Sequence, residues 1–370
     1  MHISERKRKV NAKKWFRGTV ILLAVLVVAI GAAVVVIDPY YHFHKPLNGI
    51  EYRGQNALYN NNGMLRNFDY NALIIGTSMT SGFSEEEASQ LFDENFIRTT
   101  FLGEGFYLLN ENMKTALLHQ PDLKHVIRSV DTLWFVTPPE WKSTEEYPDY
   151  LYDENPFNDV QYLYNIDVWN EAMIPTVAAS ITQDESESTE PDSEDARADD
   201  YLTGEKALDN YGRPEKSDTP IDPGETEEWY HYMYANLTQN LTDTIAQYPD
   251  VRFDLFFPPY SILWWDSSNQ AGPGRVDRRI DMEKYAIDIL LEYPNIHLYS
   301  LNDDFELVTD LSNYADDIHY HPNINSEILQ CIHDGKHEIT DENASEYIES
   351  IRKFYTTYDY DAIFEENHTN

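Results

Sequence analysis

Apolar and polar positions along this chain change period in a regular order. An uncharged run from Gly18 to Ile37 comes first. Short apolar runs bounded by turn residues follow, at Asn71 to Ile75, Phe96 to Phe101, Lys124 to Val136, Arg252 to Phe257 and Ile296 to Tyr299, and each reads as a buried strand. Helical spacing fills the gaps. Ser84 opens a helix that runs to Phe92, with Glu85, Glu86 and Glu87 in the first turn, where the helix dipole favours acids. Further helices are expected from Leu108 to His119, stopped by Pro121, from Thr226 to Tyr248, from Asp277 to Tyr293, and a last one from about Asn323. Strands alternating with helices predict an α/β domain: a parallel sheet in a three-layer α/β/α arrangement. Ligands of such sheets sit at the C-terminal strand ends, where Ser78, Gly105, Thr137 and Pro258 fall.

The first run differs from the others in length and flanks. It is long enough for the roughly 20 residues that a membrane-crossing helix needs. Arg6, Lys7, Arg8, Lys9, Lys13, Lys14 and Arg17 precede it, and no Lys or Arg occurs from Asp38 to His44. That asymmetry predicts a cytoplasmic N-terminus and an extracellular remainder, single-pass at the cell membrane. A cleaved signal peptide is the competing reading, but Val34-Val35-Val36-Ile37 offers no small-residue cleavage site. The expected layout is a basic tail over 1–17, a transmembrane helix over 18–37, and an extended lead-in without clear period over 38–70. The α/β domain then covers 71–355, and a tail covers 356–370. Within the domain, 183–225 is expected as an acidic, disordered insertion, apolar-poor over 183–200. It lacks the Asp-x-Asp-x-Asp-Gly spacing of a calcium loop.

Charge and cysteine content narrow the partners. A formal net charge of −38 argues against nucleic acid, which would be repelled along most of the surface. Cys331 is the only cysteine, which excludes an intramolecular disulfide and a cysteine-based zinc site. His42 and His44 form a His-x-His pair that reads as a polar interfacial feature more than as a metal site, and no cofactor is expected. Trp264 and Trp265 suit either core packing or stacking on sugar rings.

The chemistry lies at two distant points. A strand ends in Gly76-Thr77-Ser78, which delivers a serine onto a tight turn, and Asp316-Asp317-Ile318-His319 supplies a histidine with a carboxylate three positions earlier. A serine hydroxyl needs a base within hydrogen-bond reach to act as a nucleophile, and the base needs an orienting group. His319 is preferred over His321 because Ile318 occupies the corresponding place before His321. Asp131, placed early in the third expected strand, has no evident role.

These blocks resemble the SGNH (GDSL-like) hydrolase superfamily, in particular its membrane-anchored bacterial members linked to cell-surface polysaccharide acylation. The resemblance covers roughly residues 71 to 335. It implies a flavodoxin-like three-layer fold. Gly76-Thr77-Ser78 is similar to the family's Gly-Asp-Ser block, with Thr77 replacing the acid. By that likeness Ser78 is the nucleophile and lends its own amide to the oxyanion hole, Gly105 of Gly103-Glu104-Gly105 lends a second amide, and His319 and Asp316 are base and orienting carboxylate. The family's Gly-x-Asn-Asp block has no counterpart, since Phe135-Val136-Thr137-Pro138-Pro139 stands after the third expected strand. The resemblance implies a serine esterase or O-acyltransferase that adds or removes small acyl groups, acetyl foremost, on a cell-surface glycan. A multi-spanning membrane O-acyltransferase is the implied partner. The missing block leaves room for a binding or assembly subunit without turnover, and a purely structural surface protein is the third reading.

Overall fold

The computed structural model describes residues 12–54, 56–143, 147–153, 155–182 and 204–365. These fall into two compact units. One takes the chain up to Asn67 together with the segment from Pro148 to Thr182; the other takes Phe68 to Tyr147 and the described residues from 204 onward. The start of the expected acidic insertion, 183–203, lies outside the described residues.

The first unit is helical. Its Ala12–Ile37 helix is long and apolar enough to cross a membrane, and most of its side chains face outward with no protein cover. At the end of that helix Asp38 is fully buried and accepts hydrogen bonds from the amides of His42, Phe43 and His44 and from the Tyr162 hydroxyl. Val34, Tyr40, Leu151, Tyr162, Val168 and Ala172 form its core. The expected extended lead-in is therefore corrected: residues 57–67 form a helix, Ala57–Asn67. Residues 148–182, expected inside the α/β domain, pack instead in this helical unit, because their buried side chains find Val34 and Tyr40 as partners. No metal cluster forms among the described residues. His42 lies 3.4 Å from Asp159, and the His44 ring nitrogens meet the carbonyl oxygens of Lys45 and Val35.

The second unit carries a six-stranded sheet in the order β2-β1-β3-β4-β5-β6. The strands are β1 (Ala72–Gly76), β2 (Phe96–Thr100), β3 (His125–Ser129), β4 (Arg252–Phe257), β5 (Ile296–Ser300) and β6 (Glu338–Ile339). β1 to β5 are parallel, and β6 adds antiparallel to β5. β1 and β3 are buried at every position; β1 reads as an unbroken apolar run, whereas β3 buries His125, Arg128 and Ser129 beside Val126 and Ile127. The chain steps from β1 outward to β2 and then back across to β3, which makes the β1/β3 crevice the topological switch point.

Several boundaries differ from expectation. β3 ends at Ser129, and residues 132–134 form a short 3-10 turn, so Thr137 does not close the strand. The apolar residues from Leu133 to Val136 extended the expected strand; the polar pair Ser129 and Asp131 ends it. The expected Thr226 to Tyr248 helix starts at Pro223, with Asp222 as its cap, and passes through a π turn at 238–242. That turn sets Asn236 and Asn240 side by side, and their amides hold the carbonyls of Thr137 and Pro139. Within the expected disordered insertion, residues 205–211 form a helix with Ala207 buried. Also not expected were the Ile262–Ala271 helix, the short Phe305–Thr309 helix, β6, the Ala344–Thr357 helix and the short Ala362–Glu365 helix.

Candidate active site

The turn after β1 is dictated by its small residues. A side chain at Gly76 would run into the Thr80 methyl and the Ser129 hydroxyl, so only glycine fits. Thr77 caps a 3-10 turn over Ser78–Thr80 by accepting from the Met79 amide, and the Thr80 hydroxyl closes back on the Thr77 carbonyl at 2.9 Å. Ser78 is thereby left half-buried at the C-terminal edge of β1.

The histidine arrives on a hairpin-like loop. Tyr314 and Tyr320 bridge antiparallel, and the Ala315 amide donates to the His319 carbonyl at 2.9 Å. At its tip His319 Nε2 lies 2.9 Å from Ser78 Oγ, and His319 Nδ1 lies 2.7 Å from Asp316 Oδ2. The other Asp316 oxygen accepts the amides of Ile318 and His319. Burial works against a charge on Asp316, but the imidazole and the two amides outweigh it and hold the carboxyl below its usual range. An ionised Asp316 at Nδ1 fixes the tautomer that leaves Nε2 free to accept a proton from Ser78.

Two contacts fasten the serine turn to the histidine loop. The Tyr320 hydroxyl and the Asn325 amide both donate to the Met79 carbonyl, at 2.8 and 3.1 Å. On the far side, Ser261 donates through its amide and its hydroxyl to the carbonyl of Asp317. Asp317 thus holds the loop through its backbone, while Asp316 orients the ring. His321 caps the Pro322–Asp334 helix instead, accepting the Asn323 amide through Nδ1.

Gly105 lies at the same sheet edge, past the end of β2, where the Phe101 amide donates to the Gly76 carbonyl. It is the buried N-cap of the Phe106–His119 helix, and a Cβ there would sit 3.2 Å from the Trp141 ring. Gly103 is exposed with φ +65° and open space around it, so it serves the turn. The Gly105 amide makes no loop or turn hydrogen bond among the described residues.

Asp131, which sequence reasoning leaves without a role, belongs to this site. It stands two residues past β3, across the switch point from Ser78, and is fully enclosed. Its Oδ1 accepts the Thr77 hydroxyl at 3.1 Å and the Tyr260 hydroxyl at 3.0 Å, and its Oδ2 accepts the Ser129 hydroxyl at 2.7 Å. Burial raises its carboxyl above the ordinary range; the three hydroxyls and the nearby His319 pull the other way. The signal was in the sequence: two polar residues, Ser129 and Asp131, interrupt an apolar run at the place where a strand should end. Trp264 and Trp265 are core residues, with the Trp265 ring stacked 3.8 Å from that of Tyr355.

The site thus contains a hydroxyl, a base and two carboxylates, a set suited to nucleophilic acyl chemistry. A scan against family models and searches of curated proteins and of solved structures find no match to this chain. What stands is a mostly parallel six-stranded α/β sheet flanked by helices, in a chain with one long apolar N-terminal helix.

Proposed function

We propose that the protein is an SGNH-type serine esterase or O-acyltransferase, anchored in the cell membrane by residues 18–37, that moves small acyl groups, acetyl foremost, on a cell-surface glycan. The observation that carries this reading is the hydrogen-bond chain Ser78 Oγ, His319 Nε2, His319 Nδ1, Asp316 Oδ2, with links of 2.9 and 2.7 Å. The net charge of −38 and the outward-facing apolar helix fit an exposed, anchored domain.

The steps follow from the geometry. Ser78 Oγ attacks the acyl carbonyl while His319 Nε2 takes its proton, and Asp316 stabilises the imidazolium. The carbonyl oxygen becomes an oxyanion that the amides of Ser78 and Gly105 would bind; removing one such donor costs about 3–4 kcal/mol of barrier. Collapse of the adduct expels the leaving alkoxide, which takes the proton from Nε2, and leaves an ester on Ser78. A water or a sugar hydroxyl then gives its proton to Nε2, attacks that ester, and restores Ser78. Asp131 is a positioning residue here: it holds Thr77, which caps the serine turn.

One observation favours a second reading, a binding or assembly subunit without turnover: the group at the end of β3 is Asp131, an acceptor, and not a third oxyanion donor. The experiment that separates the two is hydrolysis of p-nitrophenyl acetate by the full chain in detergent. Release of nitrophenol that disappears in Ser78→Ala and in His319→Ala supports the enzyme. Equal release by the wild type and both variants argues against it.

A further inference from the structure

The Ile262–Ala271 and Arg275–Leu290 helices enclose a cavity of about 150 Å³ with the turn after β3. None of Ser78, Asp316 and His319 lines it. Helical spacing gives its walls a definite chemistry. Trp264, Trp265 and Ser268 come from one helix, and Arg275, Arg279 and Glu283, four residues apart, come from the next. Trp229 adds a third indole.

The polar atoms of this lining are unbalanced. Trp265 Nε1, Ser268 Oγ and Arg275 Nε are buried, and none has a hydrogen-bond partner among the described residues. Leaving such donors unpaired is costly, and native folds seldom do it without a reason. The Arg279 guanidinium lies 3.6 Å over the Trp264 ring and has no ion pair among the described residues. Burial lowers it to about 10, which leaves it charged at neutral pH. The one carboxyl of the lining, Glu283, is occupied by the Tyr347 hydroxyl and the Asn302 amide. Arg275 shares its Nη1 with Glu225 at 3.3 Å, but its Nε, the Trp265 and Ser268 donors and the Arg279 guanidinium still exceed the acceptors of the lining, in a chain whose overall charge is strongly negative.

We propose that this cavity binds a ligand built on one six-membered ring that bears a carboxylate, the ring held against the indoles and the carboxylate by Arg275, Arg279, Ser268 and Trp265. A cavity of this volume admits a ring of that size. The donor set matches an acceptor-only group, and the indole faces match a flat or chair-shaped carbon body. The site does not depend on the acyl-transfer reading, because its lining shares no side chain with Ser78, Asp316 or His319. It adjoins that region through Tyr260, whose ring lies 4.8 Å from that of Trp264, and through Asp317, whose carboxylate lies near Arg279.

Titration calorimetry of the full chain with benzoate, glucuronate and benzyl alcohol tests it. At least one of the two acids should bind, about tenfold or more tighter than the neutral alcohol, as a charge-assisted contact requires. Tighter binding of benzoate identifies a free aromatic acid as the ligand type; tighter binding of glucuronate identifies a sugar acid. Arg279→Gln should weaken the preferred acid about tenfold. Ser268→Ala, which removes one donor at little risk to folding, should weaken it severalfold. Absence of binding by both acids at about 10 mM, equal affinity for acid and alcohol, or undiminished binding in both variants overturns the proposal.

Discussion

Asp131 sets the local logic of the site as much as the serine does. Three hydroxyls converge on it, from Thr77, Ser129 and Tyr260, and removing the carboxylate would leave all three buried without an acceptor. Asp131→Ala is expected to cost on the order of 3 kcal/mol in denaturant unfolding, whereas Asp131→Asn, which keeps one acceptor oxygen, should cost less. The charge has a separate readout. His319 lies close enough to interact with it, so loss of the anion in Asp131→Asn should make the imidazolium easier to deprotonate. The acid limb of kcat/KM should then move to lower pH in that variant; an unmoved limb would reduce Asp131 to a structural part. Asp316 stays ionised through this range, because its carboxyl sits below the usual value. Its contribution to stability is present above the ordinary aspartate pKa of about 3.9 and is lost as pH falls through its lower folded value. Asp316→Asn should leave residual turnover, lowered by up to about 10⁴-fold, where Ser78→Ala abolishes the serine pathway.

At the scale of elements, the caps and buried acids carry measurable consequences. Ser84 accepts the Glu87 amide at the start of the Glu85–Phe92 helix, so Ser84→Ala should cost about 1 kcal/mol in a thermal melt and leave activity alone. Glu283, on the Arg275–Leu290 helix, is pushed up to about 7 by burial, partly offset by Tyr347 and Asn302. An unfolded glutamate titrates near ~4.3. Between those values the folded chain keeps a proton that the unfolded chain has lost, so stability should fall as pH rises, by on the order of 3 kcal/mol. Glu283→Gln should flatten that slope in unfolding curves taken at several pH values. Legibility followed the same physics. β4 was readable to the residue because Pro258-Pro259 stops it, and the Glu85–Phe92 helix because Ser84 caps it. The Ile262–Ala271 helix was not: its Trp264-Trp265-Asp266 start is buried all round, so no amphipathic period announces it. β6 has two residues and exists only because β5 offers an edge. Ser78, His319 and Asp316, which the fold brings within hydrogen-bond reach, could be picked out as candidates because each stands at a punctuation mark between elements, as does Gly105. Asp131, Tyr260, Tyr320 and Asn325 could not be, since what they do depends on contacts across more than a hundred residues.

For the whole molecule, the sheet order explains where chemistry can collect. The reversal between β1 and β3 opens a crevice at the strand ends, and the loops that meet there carry Ser78, Asp131 and, from after β5, His319. The long apolar N-terminal helix also bears on the whole chain. The Ala12–Ile37 helix exposes Val20, Ile21, Leu22, Leu23, Val25 and Leu26, a surface that water would not tolerate at length. If it is the retained anchor we propose, the full chain should stay with membranes after an alkaline wash, and protease added outside sealed cells should spare the peptide from Arg6 to Arg17. Release of a shortened chain into the medium would instead identify a cleaved signal sequence.

The proposed chemistry rests on an activated Ser78, and covalent trapping probes that activation without needing the natural substrate. Full-length protein in detergent would be treated with a fluorophosphonate, and its mass and labelled peptide determined. One adduct is expected, on Ser78, lost in His319→Ala while Asp131→Asn and Ser84→Ala still label. No adduct, an adduct on another serine, or labelling of Ser78 undiminished in His319→Ala would contradict the mechanism.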